Sequence, residues 1–552
     1  MRLGLDVTAV DLLPAAYIFL KAVLEYPAQY GEKLIDDVKY WGNWVTERLR
    51  EDEDIKELYD DDVAVSIGTW EVKCPHCRKW TPLVGNWWLA RVKDKKGYKR
   101  LAFMKPVRNG NDIDIEVVDV NSHGNASKAE VDTGPGKIKI GETVYEVPKP
   151  NLNARRQQAT CLNCGNLIRL VDAEGNHFME GRNLEWFVKW ALKKYHEDDV
   201  QFARQRLLVK VKVNKDLVFE PCDKKDNEKL GRAKEKVRVL IGDPDVPIEP
   251  TIPYTGSQIN IVFIIFKTWE NFFNPRQILT LVKLIREAGK RIEEEKRGEG
   301  QNEEDAFKYA EAVMTYLAIG LCKFADYNSI ATRWHNVLLM IGNTISFRGI
   351  AMNWNWTDEN PLVRFTGSWI RGVETERDSL KYLISSLNNT PTQQKLEKEQ
   401  SNDRTKVIID DATALMKKNE KFNIIVTDPP YSDDVYYTEN SDFYFVWLKR
   451  ALSDSDGRKL TPRFHADAFF KKIGAKLAEI KTQWQEFAKK EISKCPPRFQ
   501  ETDNPYKNAS QHFKNLLAQS FIAMRENLEE NHQKRRGPRG RARRQRGEEI
   551  LW

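Results

Sequence analysis

The chain has 552 residues, of which 41% are hydrophobic and 31% charged, so it is long enough for two or more domains and its composition excludes an intrinsically disordered protein. The formal net charge is +7, but eight Lys and Arg residues lie without an acid in residues 534–546, so the rest of the chain is close to neutral. No apolar run reaches the length of a membrane span, and Asp6 and Asp11 interrupt the N-terminal apolar stretch, which excludes a signal peptide and predicts a cytoplasmic protein without membrane contact.

The N-terminal segment, residues 1–58, has the pattern of one strand followed by two helices. An apolar run over residues 6–11 predicts a strand that ends at Asp11, and Pro14 then opens an amphipathic helix. The second helix is predicted over residues 32–50. An acid at the end of such a strand is positioned to accept hydrogen bonds from both ribose hydroxyls of a nucleoside cofactor. The alternative is that Asp11 is a helix N-terminal acid.

Residues 59–175 predict a β-rich insertion that carries two Cys-x-x-Cys pairs. Cys74 and Cys77 form the first pair, and Cys161 and Cys164 form the second. Four thiolates on two tight turns suit a structural Zn²⁺ site, with the 83 residues between the pairs as an insertion at the tip of a zinc ribbon. The alternative for either pair is a redox motif, although neither pair starts a helix after a strand.

Residues 176–400 show mixed patterns that are largely helical. Within them, Asn353, Trp354, Asn355 and Trp356 place two tryptophans beside two asparagines. This combination is typical either of a loop that contacts nucleobases or of a packed core.

Two more strands are predicted in residues 401–450, and each is followed by an acid. Residues 406–409 have strand character and lead to Asp411. Residues 422–426 predict a buried strand that leads to the motif Asp428, Pro429, Pro430 and Tyr431. Asp411 is positioned to accept a hydrogen bond from an adenine amine, and its alternative role is a helix N-cap.

The Asp-Pro-Pro-Tyr motif suits a planar base that carries an exocyclic amine. The amine can donate hydrogen bonds to the Asp428 carboxylate and the Pro429 carbonyl, and the Tyr431 ring can stack on a base that has left its helix. The alternative is a proline-rich surface turn. Together with Asp11 and Asp411, Asp428 places a third acid at the same edge of one sheet, which favours a ligand site.

The C-terminal part divides into a helical region, residues 451–532, and a basic tail, residues 533–552. The tail combines arginines with Gly and Pro, which is typical of a disordered segment that contacts phosphates without sequence preference. The alternative is a solvated end without a binding role.

The chain resembles the adenine-specific DNA methylases that contain a zinc ribbon, and the resemblance extends over most of its length. The matching stretches are Leu3-Gly4-Leu5, Ala9-Val10-Asp11-Leu12, Pro14, Lys39-Tyr40-Trp41-Gly42, the two Cys pairs, Phe273 with Arg276-Gln277, Asn328-Ser329 with Trp334, and Thr427 to Tyr431 with Ser441-Asp442-Phe443 and Trp447-Leu448. The last block is the most specific.

This resemblance implies an α/β protein with a Rossmann-like, S-adenosylmethionine-dependent methyltransferase sheet, interrupted by the zinc ribbon and by a target-recognition region over residues 176–400. It implies methyl transfer to the N6 amine of adenine in DNA, with Asp428, Pro429, Pro430 and Tyr431 as the catalytic motif. Asp11 and Asp411 are the expected cofactor-binding residues. Restriction-modification and phage defence are the settings that the resemblance suggests.

The sequence departs from the family pattern in one respect. It has no Gly-rich loop between a first strand and a first helix, and residues 1–5 resemble the end of the helix that follows such a loop. We therefore expect a sheet without its first strand, weak or absent cofactor binding by this polypeptide alone, and a complementary polypeptide that carries the Gly-rich loop.

Two other functions remain open from the sequence. N4-cytosine methylation presents the same amine geometry to Asp428 and Tyr431. A noncatalytic DNA-binding or specificity subunit, or an inactive remnant, would bind DNA without the cofactor.

Overall fold

The computed structural model describes a mixed α/β protein. The described residues are 5–122, 126–133, 136–172, 174–178, 184–254, 262–284, 288–346, 349–388, 405–413, 421–432 and 435–529. The predicted basic tail, residues 533–552, lies outside the described residues.

The N-terminal strand, Val7–Asp11, pairs in parallel with Thr405–Ile409, so that Asp11 lies opposite Ile409. Both segments are rich in β-branched residues, which favour extended backbone. The predictions of strands over residues 6–11 and 406–409 are confirmed. Because the pairing is parallel, the residues that follow both strands leave the sheet at the same edge.

The two predicted N-terminal helices are present. The first starts at Pro14, as expected from its fixed φ, and runs as Pro14–Leu20, a π-helical turn Lys21–Glu25 and Tyr26–Tyr30. The second is Lys33–Glu51, whose buried face repeats at helical spacing. The buried side chains on that face include Leu34, Val38, Trp41, Val45 and Leu49.

A five-stranded antiparallel sheet joins segments that are far apart in the chain. Its order is Leu217–Pro221, Ala203–Val213, Val63–Lys73 and Asn355–Glu359, and Trp80–Pro82 also pairs with Val63–Lys73. The strands therefore come from both predicted regions, residues 59–175 and residues 176–400.

The central strand Val63–Lys73 is buried on both faces. Its single carboxylate, Glu71, is fully buried and is ion-paired with Arg204 at 2.6 Å and Arg206 at 2.7 Å, both on the neighbouring strand. The backbone of Gly68 passes against the Trp356 ring, which occupies the space of a side chain at that position.

The rest of residues 59–175 is β-rich, as predicted. An antiparallel meander consists of Trp88–Asp94, Gly97–Asn109 and Asp112–Asp119. The other strands of this region are short: Glu130–Asp132, Lys137–Ile140, Thr143–Glu146, Leu152–Asn153, Gln158–Thr160, Leu167–Ile168 and Leu170–Val171.

Helices form the largest hydrophobic core, around the buried helix Glu303–Tyr327. The other long helices are Phe187–His196, Lys224–Leu240, Pro275–Lys283, Ala288–Gly298, Trp369–Asn388, Tyr437–Leu452 and Pro505–Asn527. Among the helices of the described ranges, none combines the length and the apolar character needed to cross a bilayer.

The structure differs from the prediction of a buried strand over residues 422–426. The side chains of Ile424 and Val426 are 60% and 72% exposed, and Phe422 forms a single parallel bridge to Leu528 rather than part of a strand. The prediction was wrong about burial because, in the described part of the chain, no strand covers this apolar run. Apolar composition alone does not provide a neighbouring strand.

The region 451–532 also contains β-structure besides its helices. Two hairpins, Asp454–Asp456 with Lys459–Thr461 and Phe470–Ile473 with Lys476–Glu479, each turn over two residues. Their first turn residues, Gly457 and Gly474, have φ of 58° and 62°. Glycine adopts this backbone without strain, and the prediction of a helical region did not include these two turns.

Candidate functional site

Two turns with equivalent backbone hydrogen bonds carry the four cysteines. In the first, the amide of Cys74 donates to the Lys79 carbonyl at 2.9 Å, and the amide of Arg78 donates to the Cys74 carbonyl at 2.9 Å. In the second, the amide of Cys161 donates to the carbonyl five residues ahead at 3.0 Å, and the amide of Gly165 donates back to Cys161 at 2.9 Å. Each turn therefore points its two thiols in the same direction.

The four sulfur atoms meet in one cluster. The Sγ atoms of Cys74 and Cys164 are 3.8 Å apart, those of Cys77 and Cys161 are 3.7 Å apart, and all four lie within 4.8 Å of one another. A tetrahedral ion with Zn–S bonds of about 2.3 Å requires S–S separations of about 3.8 Å, whereas a disulfide requires about 2.05 Å. The cluster can hold a metal ion such as zinc, and the predicted convergence of the two pairs is confirmed.

The thiols also affect one another electrostatically. A hydrogen bond from Cys74 lowers the pKa of the Cys161 thiol to about 4, and the same contact raises the pKa of Cys74. The thiolate is the form that binds metals, so the lowered pKa of Cys161 favours metal binding by the cluster.

The cluster lies at the end of the central strand of the five-stranded sheet. Cys74 directly follows Val63–Lys73, and both Cys74 and Cys161 are buried in the main core, whereas Cys164 is exposed. His76 does not belong to the four-sulfur group; its Nε2 lies 3.2 Å from the Leu167 carbonyl oxygen. The site is therefore a closed four-cysteine cluster, which is typical of structural rather than catalytic zinc.

Asp11 is half-buried at the edge where the parallel strands end. Its Oδ1 accepts a hydrogen bond from the Leu13 amide at 2.9 Å, just before the helix that starts at Pro14. Burial raises the pKa of Asp11, and the amide hydrogen bonds of Leu13 and Leu12 oppose this shift. Asp11 thus accepts a hydrogen bond from the residue that caps this helix without being its cap or part of its first turn, and its carboxylate retains further acceptor sites.

Asp411 lies at the same edge. The Asp410 amide donates to the Asp11 carbonyl at 2.9 Å, which joins the two strand ends directly. Oδ1 of Asp411 accepts hydrogen bonds from the amide of Thr413 at 2.9 Å and from its hydroxyl. Asp411 therefore stabilises its own turn, in the manner of the cap that was the alternative prediction.

The Asp-Pro-Pro-Tyr motif is on the surface. Asp428 is exposed, the Tyr431 side chain is 74% exposed, and its hydroxyl donates to Asp428 Oδ1 at 3.3 Å. Pro429 and Pro430 are half-buried. Ser432, the next residue, has a left-handed backbone with φ of 67°, which is a strained conformation for a residue with a side chain.

A small apolar cluster brings the three acid-bearing segments together. Val10, Ala412 and Ile425 pack against Ala523 and Met524 of the helix Pro505–Asn527. Val10 directly precedes Asp11, Ala412 directly follows Asp411, and Ile425 is three residues before Asp428. The three segments are therefore neighbours, although they come from opposite ends of the chain.

A buried ion network that the sequence did not reveal lies at the start of the helix Tyr437–Leu452. Arg498 pairs with Glu439 at 2.5 Å and with Glu491. Glu491 in turn accepts a hydrogen bond from the amide of Tyr437, the first residue of the helix after the motif, at 2.9 Å. Burial raises the pKa of Glu491, and the charge of Arg498 opposes this shift. The network fixes the start of that helix, but its members are far apart in sequence and no local pattern joins them.

Comparisons with known proteins do not identify a family: no family model, no curated protein and no solved structure matches this chain.

Proposed function

We propose that this chain is part of a zinc-ribbon DNA methyltransferase that transfers a methyl group from S-adenosylmethionine to the N6 amine of adenine. The observation that carries the proposal is the packing of Val10, Ala412 and Ile425 against one helix, which makes the segments of Asp11, Asp411 and Asp428 neighbours. The edge at which parallel strands end is where α/β proteins bind nucleosides.

The chain's own residues then have distinct roles. The Asp428 carboxylate and the Pro429 carbonyl accept hydrogen bonds from the base amine, and the exposed Tyr431 ring stacks on the extruded base. Asp11 binds the ribose hydroxyls and Asp411 the adenine amine of the cofactor, since each has carboxylate lone pairs beyond those used by its own turn. S-adenosylmethionine, when bound, supplies an electrophilic methyl group. The protein contributes position and orientation.

A complementary polypeptide with a Gly-rich loop is the second part of the proposal. In the described part of the chain, Val7–Asp11 pairs along one edge only, and the nearby apolar side chains Ile424 and Val426 are exposed. A strand from a partner would cover both features, and its Gly-rich turn would approach the cofactor. We expect coexpression with the adjacent upstream reading frame to give a stable complex. Micromolar binding of S-adenosylmethionine by the isolated chain would contradict the requirement for a partner.

The test of catalysis compares two substitutions of Tyr431 in that complex. Tyr431→Phe keeps the stacking ring and loses only the hydroxyl that bonds to Asp428, whereas Tyr431→Ala loses the ring. We expect Phe to retain most of the methyl transfer from radiolabelled cofactor to DNA, and Ala to abolish it while DNA binding persists. Equal activity of the two variants would place the target base elsewhere.

The product distinguishes the remaining possibilities. Mass analysis of digested DNA separates N6-methyladenine from N4-methylcytosine, which share the same amine geometry. A complex that binds DNA but neither binds the cofactor nor methylates DNA would be a noncatalytic subunit, and the proposed reaction would then be rejected.

A further inference from the structure

A cavity of about 290 Å³ lies between the antiparallel meander and the segment that enters the strand Asn355–Glu359. Its walls combine three indole rings with polar side chains: Trp88, Trp334, Trp354, Arg333, Asn353 and Asn355. None of its lining residues belongs to the four-cysteine cluster or to the strand-end acids.

The Asn355 side chain anchors a loop in the wall of this cavity. Its Oδ1 accepts hydrogen bonds from the amides of Gly85 at 2.9 Å and Asn86 at 3.0 Å, and this pairing sets the orientation of the side-chain amide. The Nδ2 group is buried and has no hydrogen-bond partner in the described structure. The two hydrogen bonds to Oδ1 therefore fix Asn355 and the loop of Gly85 as one rigid part of the cavity wall.

Contacts with neighbouring residues hold the aromatic walls in place. The Trp334 indole donates to the Leu89 carbonyl at 2.7 Å and stacks on Phe365 at an interplanar angle of 13°. The Trp354 ring meets Trp186 edge-on at a centroid distance of 5.7 Å. Because these rings are fixed before a ligand arrives, binding costs little side-chain entropy.

Trp88 and Arg333 complete the walls. Trp88 packs against Phe103, and the guanidinium of Arg91 lies 5.6 Å from the Trp88 ring centroid. The Arg333 guanidinium donates to Ser346 Oγ at 3.2 Å. The cavity walls therefore combine flat apolar surfaces with fixed polar groups.

We propose that this cavity binds a planar nitrogen heterocycle, namely an unpaired nucleobase. Indole rings stack on the faces of a base, and side-chain amides pair with its edge. An aliphatic ligand has no planar face to stack on the indole rings, and a simple anion would not use the rings. The base can belong to a free nucleoside or to single-stranded DNA. The proposal does not depend on methyl transfer.

Gly85 permits a sharp test, because it lines the cavity without a side chain. A Cβ at this position would lie 3.5 Å from Trp354 Cβ and 3.7 Å from Asn355 Oδ1, which are ordinary contacts. Gly85→Ala is therefore accommodated, whereas the longer side chain of Gly85→Leu extends among residues that line the cavity. Trp88→Ala is a second variant that removes one wall instead of filling the space.

The experiment is calorimetric titration of the full chain, without cofactor, with adenosine, a single-stranded oligodeoxyadenylate and an abasic oligomer of the same length. We expect saturable one-to-one binding of adenosine or of oligodeoxyadenylate, weakened about tenfold or more by Gly85→Leu and by Trp88→Ala. Gly85→Ala should bind as wild type.

The two sources of the base give different results. Binding of oligodeoxyadenylate much tighter than adenosine, with no binding of the abasic oligomer, assigns the site to a base within a strand; equal binding of adenosine assigns it to a free nucleoside. The proposal is overturned if neither ligand saturates the site, or if both Gly85→Leu and Trp88→Ala bind as wild type. These results are obtained without cofactor, so they stand apart from any failure of methyl transfer.

Discussion

Arg78 and Gly165 occupy equivalent positions, one residue after the second cysteine of each turn, and both have a left-handed backbone, with φ of 61° and 76°. Glycine adopts this conformation freely, whereas a residue with a Cβ is strained there. The same left-handed backbone is therefore formed by arginine in one turn and by glycine in the other.

Gly165→Ala should lower the free energy of unfolding by about 1 kcal/mol, because a Cβ is disfavoured at this φ. The cost is conformational, since no atom lies within 4 Å of the added Cβ. Arg78→Gly should change stability by less than about 0.5 kcal/mol, because relief of strain is offset by the greater entropy of the unfolded chain. Urea unfolding of the zinc-loaded protein measures both, and equal losses would argue against the backbone explanation.

Replacement of a cluster cysteine should abolish metal binding. We expect wild type to contain about one zinc ion per chain and Cys164→Ser to retain little, because closed structural sites need all four ligands. Cys222→Ser is the matched control, since this cysteine is not a member of the cluster. Elemental analysis after purification provides the measurement. Full zinc content in Cys164→Ser would refute the four-cysteine site.

Gly68→Ala should destabilise the protein by about 3 kcal/mol, because the new methyl group would overlap the fully buried Trp356 ring in the five-stranded sheet. The control is Gly231→Ala in the exposed part of the helix Lys224–Leu240, where nothing lies within 4 Å of the new Cβ. That change should stabilise by about 0.5–1 kcal/mol through helix propensity. Thermal unfolding should show a lower unfolding temperature for Gly68→Ala and a higher one for Gly231→Ala.

Glu376 should make stability fall with rising pH. Burial raises the pKa of Glu376 to about 7, with Lys323 opposing the shift. Its contribution is therefore present below the unfolded-state pKa of about 4.3 and is lost as the pH rises through 7. Glu376→Gln, which mimics the neutral form, should match wild type near pH 5 and exceed its unfolding temperature near pH 8.

Glu374, on the same helix, should make stability rise with rising pH. Hydrogen bonds and charge from Arg364 and Arg371 lower its pKa, so Glu374 stabilises the protein above its unfolded-state pKa. Glu374→Gln should lower the unfolding temperature slightly at pH 8.

Parallel pH profiles of the unfolding temperature for wild type and Glu376→Gln would show that Glu376 does not titrate as described.

Local patterns predicted the elements that depend on near neighbours in the chain. The strand Val7–Asp11, the helix that starts at Pro14 and the two cysteine turns all follow from a few adjacent residues. Their physical basis is short-range: backbone sterics, the fixed φ of proline and the spacing of two thiols on one turn.

Tertiary structure decided what depends on distant contacts. The exposure of Ile424 and Val426, the ion pairs of Arg498 and the cavity beside Asn355 each require partners far away in sequence. Composition shows that a segment is apolar or charged, but burial is a property of the whole packed chain. Adjacent residues therefore specify the local elements and the two cysteine pairs, whereas packing of the whole chain determines which distant segments meet.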